Sequence, residues 1–215
     1  MSRNNIIVTP GLLTKSYDDL HAQVTALKGA AEWLHVDVMD GGFVEQTSTA
    51  LTDIPDDEFS GFQVEAHLMV EDPIALFGDC KRLGMRRVVV HYEAVQEGFD
   101  EAIISAHEVG LQIVAALNPG TNVSYLESYG HLIDGVLLMS VTPGMQGQLF
   151  MPEVLKKVPE VRLLHDSILI GLDGGINEET IDQVGEYNFD YIVVGSAIAR
   201  SDNPAATLNS LQNAT

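Results

Sequence analysis

Eight short runs rich in β-branched and aliphatic residues recur along the chain. Their number and spacing constrain its fold more than any other feature. They are NIIVT (5–9), WLHVD (33–37), VEAHL (64–68), VVVHY (88–92), QIVAAL (112–117), GVLLM (135–139), ILIGL (168–172) and YIVVG (191–195). Several show no polar alternation, the pattern of parallel strands covered on both faces. Helix-compatible stretches lie between them. SYDDLHAQVTALKGA opens on Ser16 as an N-cap and carries Leu20, Val24 and Leu27 at helical spacing. DPIALFGDCKRLG offers Asp72 as N-cap, Pro73 at the first helical position and Gly84 beyond the end. FDEAIISAHEVG and NEETIDQVGEY have the same character. MPEVLKKVPEVRLL (151–164) reads as helix that Pro159 kinks or splits. Strands alternating with helices in this number predict an α/β fold, a (β/α)8 TIM barrel. The alternative, an open doubly wound sheet, usually begins with a glycine-rich phosphate loop. Here VTPGLLTKS follows the first strand and is neither G-x-G-x-x-G nor a P-loop. No linker or shift of composition divides the chain, so a single domain over residues 1–215 is expected.

Composition narrows the function classes. The formal charge is −20, from 31 acidic and 11 basic residues, a field that repels nucleic acid and anionic membranes. It reads as a strongly solvated surface, suited to a salty cytoplasm. No apolar run is long enough for a membrane span, and MSRNNIIVTPGLL lacks the features of a secretory signal. Cys80 is the only cysteine, which excludes an intrachain disulfide and suits a reducing, cytoplasmic setting.

In a barrel the chemistry collects at the C-terminal strand ends. The second run ends in His35 and Asp37, two positions apart and therefore on one face. The third delivers His67 and the seventh Asp173. Two imidazoles and two carboxylates converging on the barrel mouth would suit one divalent ion such as Zn²⁺, Fe²⁺, Mn²⁺ or Co²⁺. His91 and Glu93, after the fourth run, are either an outer shell that orients a ligand or a structural pair at the rim. His21, His107, His131 and His165 fall on helices or their borders and read as surface or packing residues.

Glycines cluster after the last three runs, in TPGMQGQLF (142–150), DGGIN (173–177) and GSAIAR (195–200). Backbone N–H groups in such loops can approach an anion closely, and barrel phosphate sites commonly use the last two βα loops. Donors of this kind explain how so acidic a chain would hold a phosphate without basic side chains. Met39, Met69 and Met139 recur near strand ends, as core packing or as an apolar lid over an ion.

Taken together, HVDVMDGGFV, EAHLMVEDP, VVVHYEA, ALNPGT, VLLMSVTPGMQGQ, GLDGGIN and VVGSAI resemble the ribulose-phosphate 3-epimerase family, in family order and at family spacing. The resemblance implies a ribulose-phosphate-binding type of barrel, a bound divalent metal, and interconversion of D-ribulose 5-phosphate and D-xylulose 5-phosphate. It implies metal ligands at His35, Asp37, His67 and Asp173, with Asp37 and Asp173 also as acid and base. It implies contacts to the ketose phosphate from His67, from Gly144, Met145, Gln146 and Gly147, from Gly174 and Gly175, and from Gly195 and Ser196. Met39, Met69 and Met139 match the family's active-site cap.

Several positions depart from the family pattern. Gly11 follows Pro10 where the family usually has serine, and Ser16 stands for an aspartate. Glu45, Gln46, Thr47 and Ser48 replace Pro-Asn-(Leu/Ile)-Thr. Gly144-Met145-Gln146-Gly147-Gln148 replaces Gly-Phe-Gly-Gly-Gln, and a glutamine at 146 narrows a phosphate nest wherever that position needs positive φ. These changes leave the ion's ligands intact and bear on the sugar. A 3-epimerase for another ketose phosphate, such as allulose 6-phosphate, is the nearest alternative. A non-catalytic sugar-phosphate binder is the alternative from another class. No interface stripe marks a homo-oligomer, and self-association is left open.

Overall fold

A computed structural model of the chain describes residues 6–145 and 147–215. Eight strands form where the apolar runs occur: β1 (Ile7–Leu12), β2 (Trp33–Met39), β3 (Gln63–Met69), β4 (Arg87–His91), β5 (Gln112–Leu117), β6 (Gly135–Met139), β7 (Leu169–Asp173) and β8 (Tyr191–Val194). Each pairs in parallel with the next, and β1 closes onto β8, so the sheet is a barrel rather than an open doubly wound sheet. The first run departs most from expectation. Its strand starts at Ile7 and continues through Pro10 and Gly11 to Leu12.

The helices are shorter than the sequence pattern suggests. In chain order they are α1 (Tyr17–Leu27), α2 (Phe77–Arg82), α3 (Tyr92–Val95), α4 (Phe99–Glu108), α5 (Val158–Arg162), α6 (Ile181–Val184), α7 (Ser196–Ala199) and α8 (Pro204–Ala214). Ser16 caps α1 as expected, its Oγ accepting from the Asp19 N–H at 3.2 Å, and the helix buries Leu20, Val24 and Leu27. Asp72 does accept the Ala75 N–H at 3.3 Å, but it caps a 3₁₀ turn, Ile74–Leu76, and α2 begins only at Phe77. Pro159 splits the 151–164 stretch into a 3₁₀ segment, Pro152–Lys157, and α5, where the proline occupies the first turn. In NEETIDQVGEY the first half is lost to a local turn. The Asn177 Oδ1 accepts from the N–H groups of Glu179 and Thr180 at 2.8 and 3.2 Å, competing with helix. After β2 and β5 the described segments are only 3₁₀ turns, Leu51–Asp53 and Val123–Leu126.

The main core lies between the strands and the surrounding helices, where Leu20, Phe77, Phe99, Ile113 and Leu126 are fully or almost fully buried. The barrel interior is divided. Toward β4–β8 it is filled by apolar side chains, among them Val89, Val114, Leu137, Met139 and Val193. Toward β2–β4 it carries His35, Glu65, His67, Arg87 and His91, all buried. The register aligns these groups in rows. His35 pairs with Glu65 and Glu65 with Arg87, while Asp37 pairs with His67 and His67 with Val89. Met139 and Asp173 are partners on β6 and β7.

Candidate metal and acid/base centre

His35 and Asp37 point inward from β2, His67 from β3 and Asp173 from the last residue of β7. One ligand atom from each of the four lies within 4.8 Å of every other. His35 Nε2 is 3.0 Å from His67 Nδ1, 3.3 Å from Asp37 Oδ1 and 3.8 Å from Asp173 Oδ2. His67 Nδ1 is 3.0 Å from Asp37 Oδ1 and 3.6 Å from Asp173 Oδ2. A four-coordinate ion with nitrogen and oxygen donors at about 2.0–2.2 Å spaces neighbouring donors roughly 3.3–3.6 Å apart. The observed separations bracket that spacing, so the donor set fits a divalent ion. Both imidazoles are fully buried, and the carboxylates are only 11% and 17% exposed.

The ring orientations have identifiable causes. His35 Nδ1 lies 2.7 Å from Glu65 Oε1, and a carboxylate only accepts, so Nδ1–H donates and Nε2 is left to face the cluster. His67 Nε2 is 2.8 Å from His91 Nε2, with the rings stacked at 5.0 Å. The other nitrogen of His91 faces Glu93 Oε2 at 3.4 Å, and Glu93 Oε1 accepts the Asn118 N–H at 2.8 Å. His67 Nε2 is thus engaged by His91, and Nδ1 faces the cluster 3.0 Å from Asp37 Oδ1, where a bound ion would take the place of a proton. Of the two readings open for His91 and Glu93, the geometry matches the one that orients a ligand. His21, by contrast, lies 3.0 Å from Glu58, and His107 is 3.9 Å from Asp134, both remote from this cluster.

The two carboxylates are driven in opposite directions. Burial raises Asp173, with the charges of Asp37 and Glu65 adding and that of His35 opposing, and its carboxyl is pushed up to about 7. Burial also disfavours ionised Asp37, but hydrogen bonds from His35 and His67 outweigh it and hold its carboxyl well below the usual range. His35 is raised because its bonds to Asp37 and Glu65 overcome burial. Burial lowers His67, and it lowers His91 to about 4.

Above this cluster opens a cleft lined by Asp37, Asp173, Met69, Met139 and the three glycine-bearing loops. Gly144, Met145 and Gly147 contribute from the loop after β6, Gly174 and Gly175 from that after β7, and Gly195 and Ser196 from the start of α7. Met145 is 60% exposed at the mouth. Gln146 lies outside the described residues. Met39 does not line the cleft. It packs with Met69, Val44, Leu13 and Phe43 beside it. Gly174 and Gly175 have φ of +115° and +66°, and a Cβ on Gly175 would sit 2.7 Å from the Phe150 backbone nitrogen. The β6 and β7 loops therefore touch through glycine backbone. Ser140 fastens the same corner, its N–H donating to the Asp173 carbonyl at 2.7 Å.

Three groups escape a reading of strand ends alone. Glu65 and Arg87 sit one row below the cluster, and Arg200 reaches Gly147, its Nη2 3.3 Å from where a Cβ would stand. Glu65 had a signal: it lies two residues before His67 and so shares its face. Arg200 stands at the end of the GSAIAR stretch, where the glycines drew attention first.

Residues 7–199 match the Ribulose-phosphate 3 epimerase family. The chain is similar to the ribulose-phosphate 3-epimerase of Mycobacterium bovis, with 36% identity over 96% of this chain and 91% of the relative. It is similar to that of Schizosaccharomyces pombe at 33%, over 96% and 92%. It is also similar to a protein of Oryza sativa named as the cytoplasmic isoform, at 30%, over 95% and 92%. Among solved structures, 3-hexulose-6-phosphate synthase from Salmonella typhimurium superposes with a TM-score of 0.75 at 15% identity, over 97% of this chain and 98% of that one. A tryptophan synthase chain from M. tuberculosis gives 0.73 at 16%, over 99% and 94%. At such identities these two share the barrel only.

Proposed function

The chain belongs to the ribulose-phosphate 3-epimerase family and is an isomerase, and from that premise we propose that it interconverts D-ribulose 5-phosphate and D-xylulose 5-phosphate by two-base proton transfer at C3. The observation that carries this reading is the meeting of Asp37 and Asp173, from β2 and β7, with two oriented imidazoles beneath a glycine-lined cleft. His35, Asp37, His67 and Asp173 would hold one divalent ion, of the Zn²⁺, Fe²⁺, Mn²⁺ or Co²⁺ group. When bound, the ion supplies Lewis-acid stabilisation of the negative charge that develops beside the ketone.

The chain's own groups do the rest. One aspartate, ionised, takes the C3 proton from one face of the sugar. The other, protonated, delivers a proton to the opposite face, and the roles exchange when the reaction runs backward. Backbone N–H groups around Gly144, Gly147, Gly174, Gly175, Gly195 and Ser196 hold the phosphate and so fix the position of C3. Met69 and Met139 line the cleft with apolar surface, which excludes water from the reacting carbon. The whole chain, residues 1–215, works as one domain. A cytoplasmic setting is supported by the buried free thiol and by the naming of the rice relative.

Gly11 favours a second reading. It lines the cleft without a side chain, and a Cβ there would stand 3.0 Å from Val193 Cγ1. This altered sugar contact suits a C6 ketose phosphate such as allulose 6-phosphate. Product analysis separates the two. Purified protein is incubated with C5 and C6 ketose phosphates, with chelator and then with each divalent ion restored. Metal-dependent xylulose 5-phosphate is the expected result. Turnover of the C6 sugar alone selects the second reading, and binding without turnover of either defeats both.

A further inference from the structure

We propose that Glu65, braced by Arg87, is the positioning residue that makes His35 a ligand of the divalent ion. The inference rests on the metal-centre reading above. Glu65 is fully buried inside the barrel, where an isolated carboxylate would be costly. It is bridged on both sides: Oε1 accepts from His35 Nδ1–H at 2.7 Å, and Oε2 accepts from Arg87 Nε at 2.5 Å. The register fixes this arrangement, because His35, Glu65 and Arg87 are partners in one row across β2, β3 and β4. Arg87 is itself held between two rings, its guanidinium carbon 4.2 Å from the Trp33 centroid and 4.6 Å from that of Tyr191. With each oxygen committed to a different partner, the carboxylate cannot rotate. The imidazole is therefore fixed in both plane and tautomer, with the lone pair of Nε2 directed at His67 and the two aspartates.

Without that acceptor the proton can move to Nε2, where it would point at the other three donors and oppose an ion. The alternative account makes Glu65–Arg87 a structural ion pair and nothing more. The two accounts diverge when both charges are removed together. A buried ion pair replaced by residues of similar shape is often neutral or stabilising, whereas removing one partner strands a charge. The variant Glu65→Leu/Arg87→Met, which removes both charges and leaves His35 Nδ1 without an acceptor, is therefore expected to melt close to the wild-type temperature when metal-free.

The test is the affinity of metal-free protein for Co²⁺, measured by competition with a chromophoric chelator, together with the visible absorption of the bound ion. The double variant is expected to bind Co²⁺ about 10- to 100-fold more weakly than wild type, with an altered absorption band. Arg87→Met alone, which leaves the carboxylate in place but unbraced, falls between. In Glu65→Gln alone Arg87 claims the single amide oxygen and turns the NH2 donor toward His35 Nδ1, so the same loss is expected and the comparison stands on either variant that folds. An affinity within about twofold of wild type, in a folded variant lacking the carboxylate, overturns the proposal. A wild-type protein that takes up no Co²⁺ overturns the metal centre itself, and this inference with it.

Discussion

A proton on the cluster-facing nitrogen of His35 or His67 would oppose an ion, and the far nitrogen of each ring has a partner. Glu65 stands 2.7 Å from that of His35 and His91 2.8 Å from that of His67. At this scale the proposed mechanism places the chemistry on the two aspartates. Asp37→Asn and Asp173→Asn are each expected to lower turnover by about 10²–10⁴-fold, read by steady-state kinetics under saturating ketose phosphate and metal. Wild-type-like turnover in either variant removes that residue from the acid/base pair. Cys80 is expected to be inert. It is fully buried on α2, and burial first, with the charge of Asp79 adding, pushes its thiol up to about 12. Iodoacetamide at about pH 8 should leave native protein unmodified and label it only after unfolding, followed by mass spectrometry. The four-residue cluster was legible in sequence because strand-end alternation assigns His35, Asp37, His67 and Asp173 to one mouth. Arg87 was not, since the stagger between neighbouring strands is written in neither strand alone. Only the register, Glu65 beside Arg87, makes them partners.

At the scale of elements, the eight strands follow from the apolar runs and the helices follow less well. Helical periodicity is real in 72–84 and 177–187, but Asp72 and Asn177 each form a local hydrogen-bonded turn that takes the first residues away. Proline at 159 divides what the pattern joins. Such outcomes are set by side-chain competition for backbone groups, which periodicity does not register. The loops are where the elements meet function. Gly175 has φ of +66° and no room for a Cβ beside Phe150. Gly175→Ala is expected to part the β6 and β7 loops and lower kcat/KM for the ketose phosphate by roughly 10- to 100-fold, mainly through KM. Inorganic phosphate should lose potency as an inhibitor in parallel. Unchanged kinetics in a folded variant would remove this loop from phosphate binding.

For the whole molecule, the net charge of −20 stands against an anionic substrate. In the proposed function the glycine-bearing loops offset this with backbone donors, and the Arg200 guanidinium stands beside Gly147. Because the global field is repulsive, kcat/KM is expected to rise as ionic strength increases from about 0.01 to 0.15 M, where the screening length shortens from about 30 to 8 Å. A fall over that range would mean that local attraction outweighs the global field. The barrel reconciles the acidic exterior with a buried cationic and imidazole-rich sector. It closes apolar strands around one polar wedge, β2 to β4, and brings Asp173 to it from β7.

The most direct measurement of the central claim follows the C3 hydrogen by NMR, with D-ribulose 5-phosphate and metal-loaded protein in D₂O. Deuterium should enter at C3 as xylulose 5-phosphate forms, and both signals should vanish with chelator and in the Asp37→Asn and Asp173→Asn variants. Retention of the C3 proton with metal and sugar phosphate both bound would contradict the account.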